Sequence, residues 1–558
     1  MRSHSVAAIF LVAIAPALLL SSGPGRPETA AEVINIEDRL ELFVDQFLID
    51  SLQGTQLRLH EPQPAGMALA FDRPWEGAHT GYVTVLFDSS VYRMYYRGLP
   101  VSGKDGSDQE TTCYAESRDG IRWTKPDLGL YEVAGTRHNN IILAGSAPFS
   151  HNFSPFIDAR PGVAASARFK ALAGTSESGL HVFASEDGIR WRKWRERPVL
   201  TEGAFDSQNV AFWSGAERCY VAYFRTWTEG GFKGFRTISR AVSPDLLNWS
   251  APVMMTFGAT PPEHLYTSQT QPYFRAPHIY VALPMRFVPG CKVLTDDEAL
   301  ALGVGEGYAS DCAETVFMTS RGGERYDRTF MEGFIRPGLD PGNWASRSGL
   351  SALGVVPTRA SEISIYKQAH YAQPSNRLER YTLRMDGFVS VNAPFAGGEM
   401  RTRPIRFSGS DLMLNFSTGA AGGIRVEFQD EEGKPIPGYS LEDCASMVGD
   451  SIERAVTWKQ GRNLRVLAGR AVRLRFVMKD ADLYSIRFRQ DPALSACAPS
   501  RCENGPGRRP ARQDAAAVSR GSGDTAPPYA HKSRACADSS ECRTGAGPGD
   551  GRTRGTAC

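Results

Sequence analysis

Short runs in which apolar and polar residues alternate dominate the chain, and no stretch keeps the 3.6-residue apolar period of a long helix. The alternation is clearest from Phe388 to Arg489, in Leu412-Met413-Leu414-Asn415-Phe416, Ile424-Arg425-Val426-Glu427-Phe428 and Val472-Arg473-Leu474-Arg475-Phe476-Val477. Turn-forming clusters such as Asp430-Glu431-Glu432-Gly433-Lys434-Pro435 separate these runs, which predicts a β-sandwich of about 100 residues. Upstream the pattern comes in pairs: an apolar run, a short turn, then a run rich in aromatic residues. The pairs begin at Tyr82, Phe153, Asn209, Gln271 and Leu353. They continue into Tyr92–Tyr96, Arg168–Leu172, Cys219–Phe224, Ile279–Leu283 and Glu362–Tyr366. Five small sheets of this kind, set radially, predict a five-bladed β-propeller. The expected fold class is all-β, a propeller followed by a C-terminal sandwich.

A second repeat supports the same architecture. Ser117-Arg118-Asp119-Gly120-Ile121-Arg122-Trp123 recurs as Ser185-Glu186-Asp187-Gly188-Ile189-Arg190-Trp191 and as Ser243-Pro244-Asp245-Leu246-Leu247-Asn248-Trp249. A degenerate copy runs from Ser320 to Tyr326. The copies recur roughly every 60–75 residues, room for one small sheet each. Ser and Asp hydrogen-bond nearby backbone in such a turn, Gly permits positive φ, and Trp packs on the neighbouring strand. Repetition at equivalent turns assigns these aspartates to structure rather than to catalysis.

Charge and the chain ends narrow the function classes. Lys+Arg 63 balance Asp+Glu 61 for a net charge of +2, without the basic excess of a nucleic-acid-binding protein. Arg2, an apolar run from Val6 to Leu20 and the small residues Ser21-Ser22-Gly23 read as a signal peptide, which predicts a secreted or periplasmic protein. No later run reaches the roughly 18 apolar residues of a membrane span. Beyond about Gln490, Gly, Arg, Ala, Pro and Ser displace aliphatic residues, which predicts a disordered tail. That tail holds Cys497, Cys502, Cys536, Cys542 and Cys558 at spacings that match no zinc site. In the body, Cys291 and Cys312 flank one loop and are the best disulfide pair for an exported chain. Cys113 and Cys219 lie in strand-like runs as small buried apolar groups. The expected division is a signal peptide at 1–25, a catalytic propeller at 35–385, a sandwich at 386–490 and a tail at 491–558.

A secreted five-bladed propeller followed by a sandwich resembles the invertase–levanase group of glycoside hydrolases. The propeller alone resembles arabinanases and β-xylosidases. The Ser-x-Asp-Leu-x-x-Trp hairpin, here Ser243 to Trp249, carries the resemblance, which covers about residues 40–490. Phe71-Asp72-Arg73-Pro74-Trp75-Glu76, Tyr92 to Gly98, Asp206-Ser207-Gln208-Asn209 and Leu383-Arg384-Met385-Asp386-Gly387-Phe388 look specific to an exported bacterial subgroup. Three invertase signatures are missing. There is no Trp-Met-Asn-Asp-Pro-Asn-Gly, only Asp158-Ala159-Arg160-Pro161 in place of Arg-Asp-Pro, and Glu-Cys only as Glu541-Cys542 in the tail. The resemblance therefore implies the fold and cleavage of glycosidic bonds in oligo- or polysaccharides, without fructan specificity. It implies a carbohydrate substrate and no metal or organic cofactor, and beyond the export signal it involves neither nucleic acid nor membrane. A non-catalytic carbohydrate-binding propeller is the alternative. A sialidase is a third option, although the turn repeat is one residue shorter than its Asp-box.

Glycosidic cleavage needs two carboxyl groups, one protonated to assist the leaving oxygen and one to activate water or attack the sugar. In such a propeller the pocket lies on the axis, lined by the starts of the innermost strands. Asp88 and Asp158 end innermost strands and are expected as turn residues at the opposite end. Asp206 stands just before the third innermost strand, followed by Gln208 and Asn209, polar residues costly to bury unless they line a wet cavity or cap the strand. Glu263 has the equivalent place in the fourth unit, with Gln269 nearby, and is the expected general acid. Asp206 and one first-unit acid, Asp72 or Glu76, are the expected base or nucleophile and charge stabiliser, with His79 adjacent and Trp75 offering a face on which a sugar stacks. Asp311, Trp344 and Arg347 complete the candidate substrate-binding set, Arg347 as a hydroxyl ligand or a modulator of a neighbouring acid.

Overall fold

The computed structural model describes residues 32–461 and 463–490; the expected signal peptide and tail, with its five cysteines, lie outside the described residues. The fold is all-β, with one short α-helix, Asp296–Ala301, among the described residues. Four-stranded antiparallel sheets form blade one (Gly81–Asp88, Val91–Gly98, Thr111–Ser117, Ile141–Leu143), blade two (Ser154–Ile157, Phe169–Ala173, His181–Ser185, Arg192–Lys193) and blade three (Val210–Ser214, Cys219–Trp227, Arg236–Ser243, Val253–Met254). Blade four is interrupted along its length. Thr270–Tyr273, Ala276–Ala282 and Met318–Ser320 make one part, and His264–Leu265, Met285–Val288 and Cys312–Thr315 the other. Blade five comprises Val356–Arg359, Glu362–Ala369 and Arg377–Arg384, and Gln63–Ala70 supplies its fourth strand. The start of the chain thus closes the propeller, which leaves no unpaired edge where first and last blades meet.

Two sets of polar contacts hold the blades together. Along the axis, Val85 N donates to Leu353 O at 2.7 Å and Leu353 N to Val83 O at 2.9 Å, joining blades one and five backbone to backbone. At the ends of the innermost strands of blades one, two and three a carboxylate reaches the next blade. Asp88 accepts from Arg168, Asp158 from Tyr220 at 2.6 Å, and Glu217 from Tyr280 at 2.7 Å. Asp88 and Asp158 are therefore inter-blade ties as well as turn residues, and Asp158 also pairs with buried Lys170.

The repeated hairpins fold as their residues dictate. Asp119 Oδ1 accepts from the amides of Ile121 and Arg122, each at 2.8 Å, and Ser117 Oγ from the amide of Gly120 at 2.9 Å. The Asp187 and Asp245 turns repeat the pattern. Gly120 and Gly188 hold φ of +69° and +75°, and Leu246 takes the same conformation at +70° in the third copy.

The sandwich is built on two long strands, Asp411–Gln429 and Arg473–Arg489, that pair over most of their length around a core including Phe407, Phe428, Phe476 and Phe488. Strands Ile34–Glu37, Glu41–Leu42, Ile49–Gln53 and Gln56–Leu59, assigned by sequence to the propeller, pair instead with the sandwich. Their alternation fits either sheet, and only tertiary pairing decides. Glu41 and Asp45 on this segment grip Arg321 of the propeller, and Glu41 also meets His278 at 3.1 Å. Leu40, Leu42 and Val44 join a core with Tyr273, Ile279 and Phe388.

The expected Cys291–Cys312 disulfide is not formed. The two residues adjoin, Cys312 Sγ lying 3.0 Å from Cys291 O, and both are thiols. Cys113 is fully buried as expected, whereas Cys219 is only half-buried. No helix among the described residues is long and apolar enough to cross a membrane.

Candidate active site

Where the innermost strands begin, each blade supplies one side chain to a common ring: Tyr82, His151, Asp206, Tyr266 and Arg347 from blades one to five. The Tyr82 and His151 rings meet edge to face at 5.6 Å. Tyr82 Oη donates to the Asp206 carbonyl at 3.1 Å. Arg225 Nε donates to Asp206 Oδ1 at 2.8 Å, and a second guanidinium nitrogen pairs with Oδ2. The Arg225 guanidinium also lies 4.3 Å from the Tyr266 ring, and that of Arg347 lies 5.5 Å from it. Arg97 backs the ring, 4.6 Å from Tyr82, and donates to His79 O at 3.0 Å and Tyr371 Oη at 3.3 Å. His79 packs between Tyr308 and Tyr371 at 5.3 and 5.7 Å.

Backbone strain is present at the same level. Tyr82, Phe205, Gln269 and Arg347, within or ahead of four innermost strands, hold φ of +52°, +50°, +47° and +63°. Each non-glycine residue there costs about 1–2 kcal/mol, a cost that packing must offset and that gathers at functional sites.

The electrostatics follow from this crowding of cations. Burial, then Arg97 and Arg347, push the His79 imidazole down to about 4, so it is neutral at neutral pH. Burial raises the Tyr266 phenol, but Arg347, Arg225 and the Tyr82 hydroxyl together outweigh it and hold the group down to about 8. Tyr82 moves the other way, well above the ordinary phenol range, through burial and then through the neighbouring Tyr266.

Of the residues selected from sequence, Asp206, His79 and Arg347 meet at the ring. Gln208 and Gln269 lie beside it as an axial tie. Gln269 Nε2 donates to Gln208 Oε1 at 2.8 Å and Ser351 O at 2.6 Å, and Gln208 Nε2 to Thr84 Oγ1 at 2.7 Å. Both are buried, as is Asn209, so they brace the strands rather than line an open cavity. Asp72, Trp75 and Glu76 gather elsewhere in blade one. Lys125 bridges the two acids at 2.9 and 2.6 Å, Glu76 accepts from Tyr96 at 2.6 Å, and Trp75 Nε1 donates to Asn140. Glu263 belongs to a charge ladder across blade four, its oxygens accepting from Arg286 and Arg328, with Glu314 on the far side of Arg286. Among the described residues neither of its oxygens contacts a ring member. Asp311 accepts from the Gly290 amide at 2.9 Å within a loop, and Trp344 Nε1, at the end of the 3-10 turn Pro341–Trp344, donates to Gly338 O.

Sequence reasoning missed Tyr82, Tyr266, His151, Arg97 and Arg225. Tyr82, His151 and Tyr266 stand one to four residues before or at the start of an innermost strand, as Asp206 does, so superposing the repeats finds them. The search for carboxylates passed over them. Among the described residues Asp105, Glu110 and His151 form a group that could hold a cation, their ligand atoms lying within 4.8 Å of one another. The Arg97 guanidinium, 3.6 Å from Glu110 and 3.2 Å from His151 Nδ1, already pairs with this cluster and opposes a second positive charge.

The chain matches no protein-family model and no curated protein. Solved structures similar to it include one described as a glycoside hydrolase, at 12% identity and TM-score 0.39 over 58% of this chain and 92% of that one. Another is an N-acetylgalactosamine deacetylase from F. plautii in complex with blood group B trisaccharide, at 12% identity and TM-score 0.40 over 58% and 96%. A third is a fructofuranosidase from Schwanniomyces occidentalis complexed with fructosylnystose, at 10% identity and TM-score 0.34 over 75% and 96%.

Proposed function

We propose that this protein is an exported glycoside hydrolase-like enzyme that cleaves glycosidic bonds of oligo- or polysaccharides at the axial ring. The observation that carries this reading is the convergence of one side chain per blade on a strained, cation-rich ring that acidifies a phenol. Asp206 is the ring's carboxylate and serves as base or nucleophile towards the sugar, fixed in orientation by Arg225. Tyr266 takes the proton-donating place that sequence reasoning gave to Glu263. A phenol held near 8 is protonated at neutral pH yet close to its midpoint, which suits a general acid. Tyr308, only partly buried beside His79 and Arg347, offers a ring face and a hydroxyl for orienting the sugar.

The test is hydrolysis of a plant and algal oligosaccharide panel by the full chain and by its D206N and Y266F variants. Turnover that falls about a hundredfold or more in both variants supports the reading. A second reading, a propeller that binds carbohydrate without cleaving it, draws on the engagement of both Asp206 oxygens by Arg225. Binding of a panel member with no turnover by the unmodified chain establishes that reading instead.

A further inference from the structure

Three guanidinium groups surround the Tyr266 ring, those of Arg225, Arg236 and Arg347, at 4.3, 5.7 and 5.5 Å. Asp206 neutralises Arg225. For Arg236 and Arg347 no side-chain hydrogen bond or carboxylate partner exists among the described residues, and the Nε of each is buried without an acceptor. Their neighbours are ring faces: Trp227 and Phe287 at 4.5 and 4.9 Å from Arg236, and Tyr308 and Tyr371 at 5.1 and 5.8 Å from Arg347. A ring face attracts a cation but provides no lone pair for an N–H group. Other groups near the pair do not cancel the charge. Arg97 is paired with Glu110, His79 is neutral, and His264 is occupied by the Arg236 amide at 3.1 Å. Asp206 acts on Arg236 only from a distance, being already paired with Arg225, so among the described residues these two positive charges have no carboxylate of their own. Both side chains are only partly buried, so a ligand reaches them.

We propose that the axial ring binds a sugar carrying an anionic substituent, a carboxylate or a sulfate ester, whose oxygens accept from Arg236 and Arg347. This rests on the reading of the ring as the site of glycosidic cleavage and specifies its substrate class. Guanidinium forks suit such groups because paired N–H donors match paired oxygens. Beside Arg236, Trp227 walls a groove of about 460 Å³ with Ala204, Gly231, Phe232 and Met254, along which the next sugar of the same chain stacks.

Calorimetric titration of the full chain tests this with four trisaccharides: a galacturonate, its neutral methyl ester, a sulfated galactan and a neutral galactan. We expect one acidic ligand to bind at least tenfold tighter than its neutral counterpart, and R236M and R347M each to remove about that preference. The galacturonate and sulfate arms distinguish the two anions. The ester comparison uses the unmodified chain, so it does not depend on either variant folding. Equal affinity for acidic and neutral ligands overturns the inference, as does an acid preference that survives both substitutions. Cleavage, measured on the same ligands, is scored separately. Hydrolysis of neutral sugars without acid preference overturns the inference and leaves the hydrolase reading standing. Acid-selective binding without any cleavage does the reverse.

Discussion

The Tyr266 phenol is the sharpest test of the ring's electrostatics. An ordinary tyrosine titrates near 10, and Tyr266 is held down to about 8, so its ionised form gains about 3 kcal/mol over its neutral form. Burial and Asp206 act in the opposite direction, so the work falls to Arg347, then to Arg225 and the Tyr82 hydroxyl. Taking the 5.5 Å between the Arg347 guanidinium and the ring as the separation, an effective dielectric of about 20 gives roughly 3 kcal/mol of attraction, or about two pH units. R347M is therefore expected to return Tyr266 to the ordinary range or above it. The assay is phenolate absorbance in the ultraviolet across a pH titration. Other buried tyrosines such as Tyr95, Tyr114 and Tyr220 are pushed up, so they stay silent where Tyr266 ionises. A single phenolate step near about pH 8, absent in Y266F and moved upwards in R347M, is expected. The folded state favours the phenolate, so stability rises as pH climbs from about 8 to about 10 and the gain is lost as pH falls back through about 8. Absence of any step below about pH 9, or a step that survives in Y266F, refutes the account of the ring as an uncompensated cation cluster.

Three further outcomes follow from the packing. D206N leaves the buried Arg225 guanidinium without its carboxylate and is expected to cost about 3 kcal/mol in denaturant unfolding; adding R225M should recover part of the loss. Burial raises Glu41, but His278, Arg321 and Arg39 more than reverse this and bring it down to about 2. E41Q should therefore cost about 3 kcal/mol above about pH 4.5, a difference from the unmodified chain that fades in thermal melts as pH falls towards about 2. A Cβ at Gly188 meets Tyr95 Oη at 2.6 Å whereas one at Gly129 meets nothing, and both positions have positive φ. G188A should thus lower the melting temperature clearly more than G129A, which carries only the backbone cost of about 1 kcal/mol.

The blades were legible because each strand announces itself locally. Tyr82–Asp88 and Val91–Gly98 carry their own alternation and turn, and Asp119, Asp187 and Asp245 satisfy their own backbone within three residues. Such signals need no knowledge of distant neighbours. The first strands were misassigned because Ile34–Leu59 alternates in a way either domain accepts, and the deciding contacts, Leu57 with Val391 and Ile34 with Ile405, span more than 300 residues. The site was only partly legible for a related reason. Asp206 stood out as a polar intrusion before an apolar strand, but Arg225 and Arg236 sit within strands where an arginine ordinarily marks a solvated face. Glu76 and Glu263 were plausible acids by position, yet what disposes of a carboxylate is its cation. Lys125 and Arg328 lie 49 and 65 residues away in sequence.

The two ends of the propeller divide stability from chemistry on a single physical basis. At the far ends of the innermost strands, carboxylates meet donors of the adjoining blade, Asp88 with Arg168 and Asp158 with Tyr220, so charge is spent on closing the circle. At the near ends Glu110 is taken up by Arg97 and His151, which leaves Asp206 to face the three guanidinium groups around Tyr266, with residues of positive φ beside them. A scaffold under no functional demand relaxes such an imbalance, because an aliphatic side chain in place of Arg236 or Arg347 removes both the repulsion and the unpaired Nε. Retaining both arginines over aromatic faces is intelligible if a ligand completes the charge. If so, R236M or R347M should raise the melting temperature of the ligand-free chain while weakening its hold on an acidic sugar. Destabilisation by both substitutions, measured without ligand, would mean instead that the two cations serve the fold.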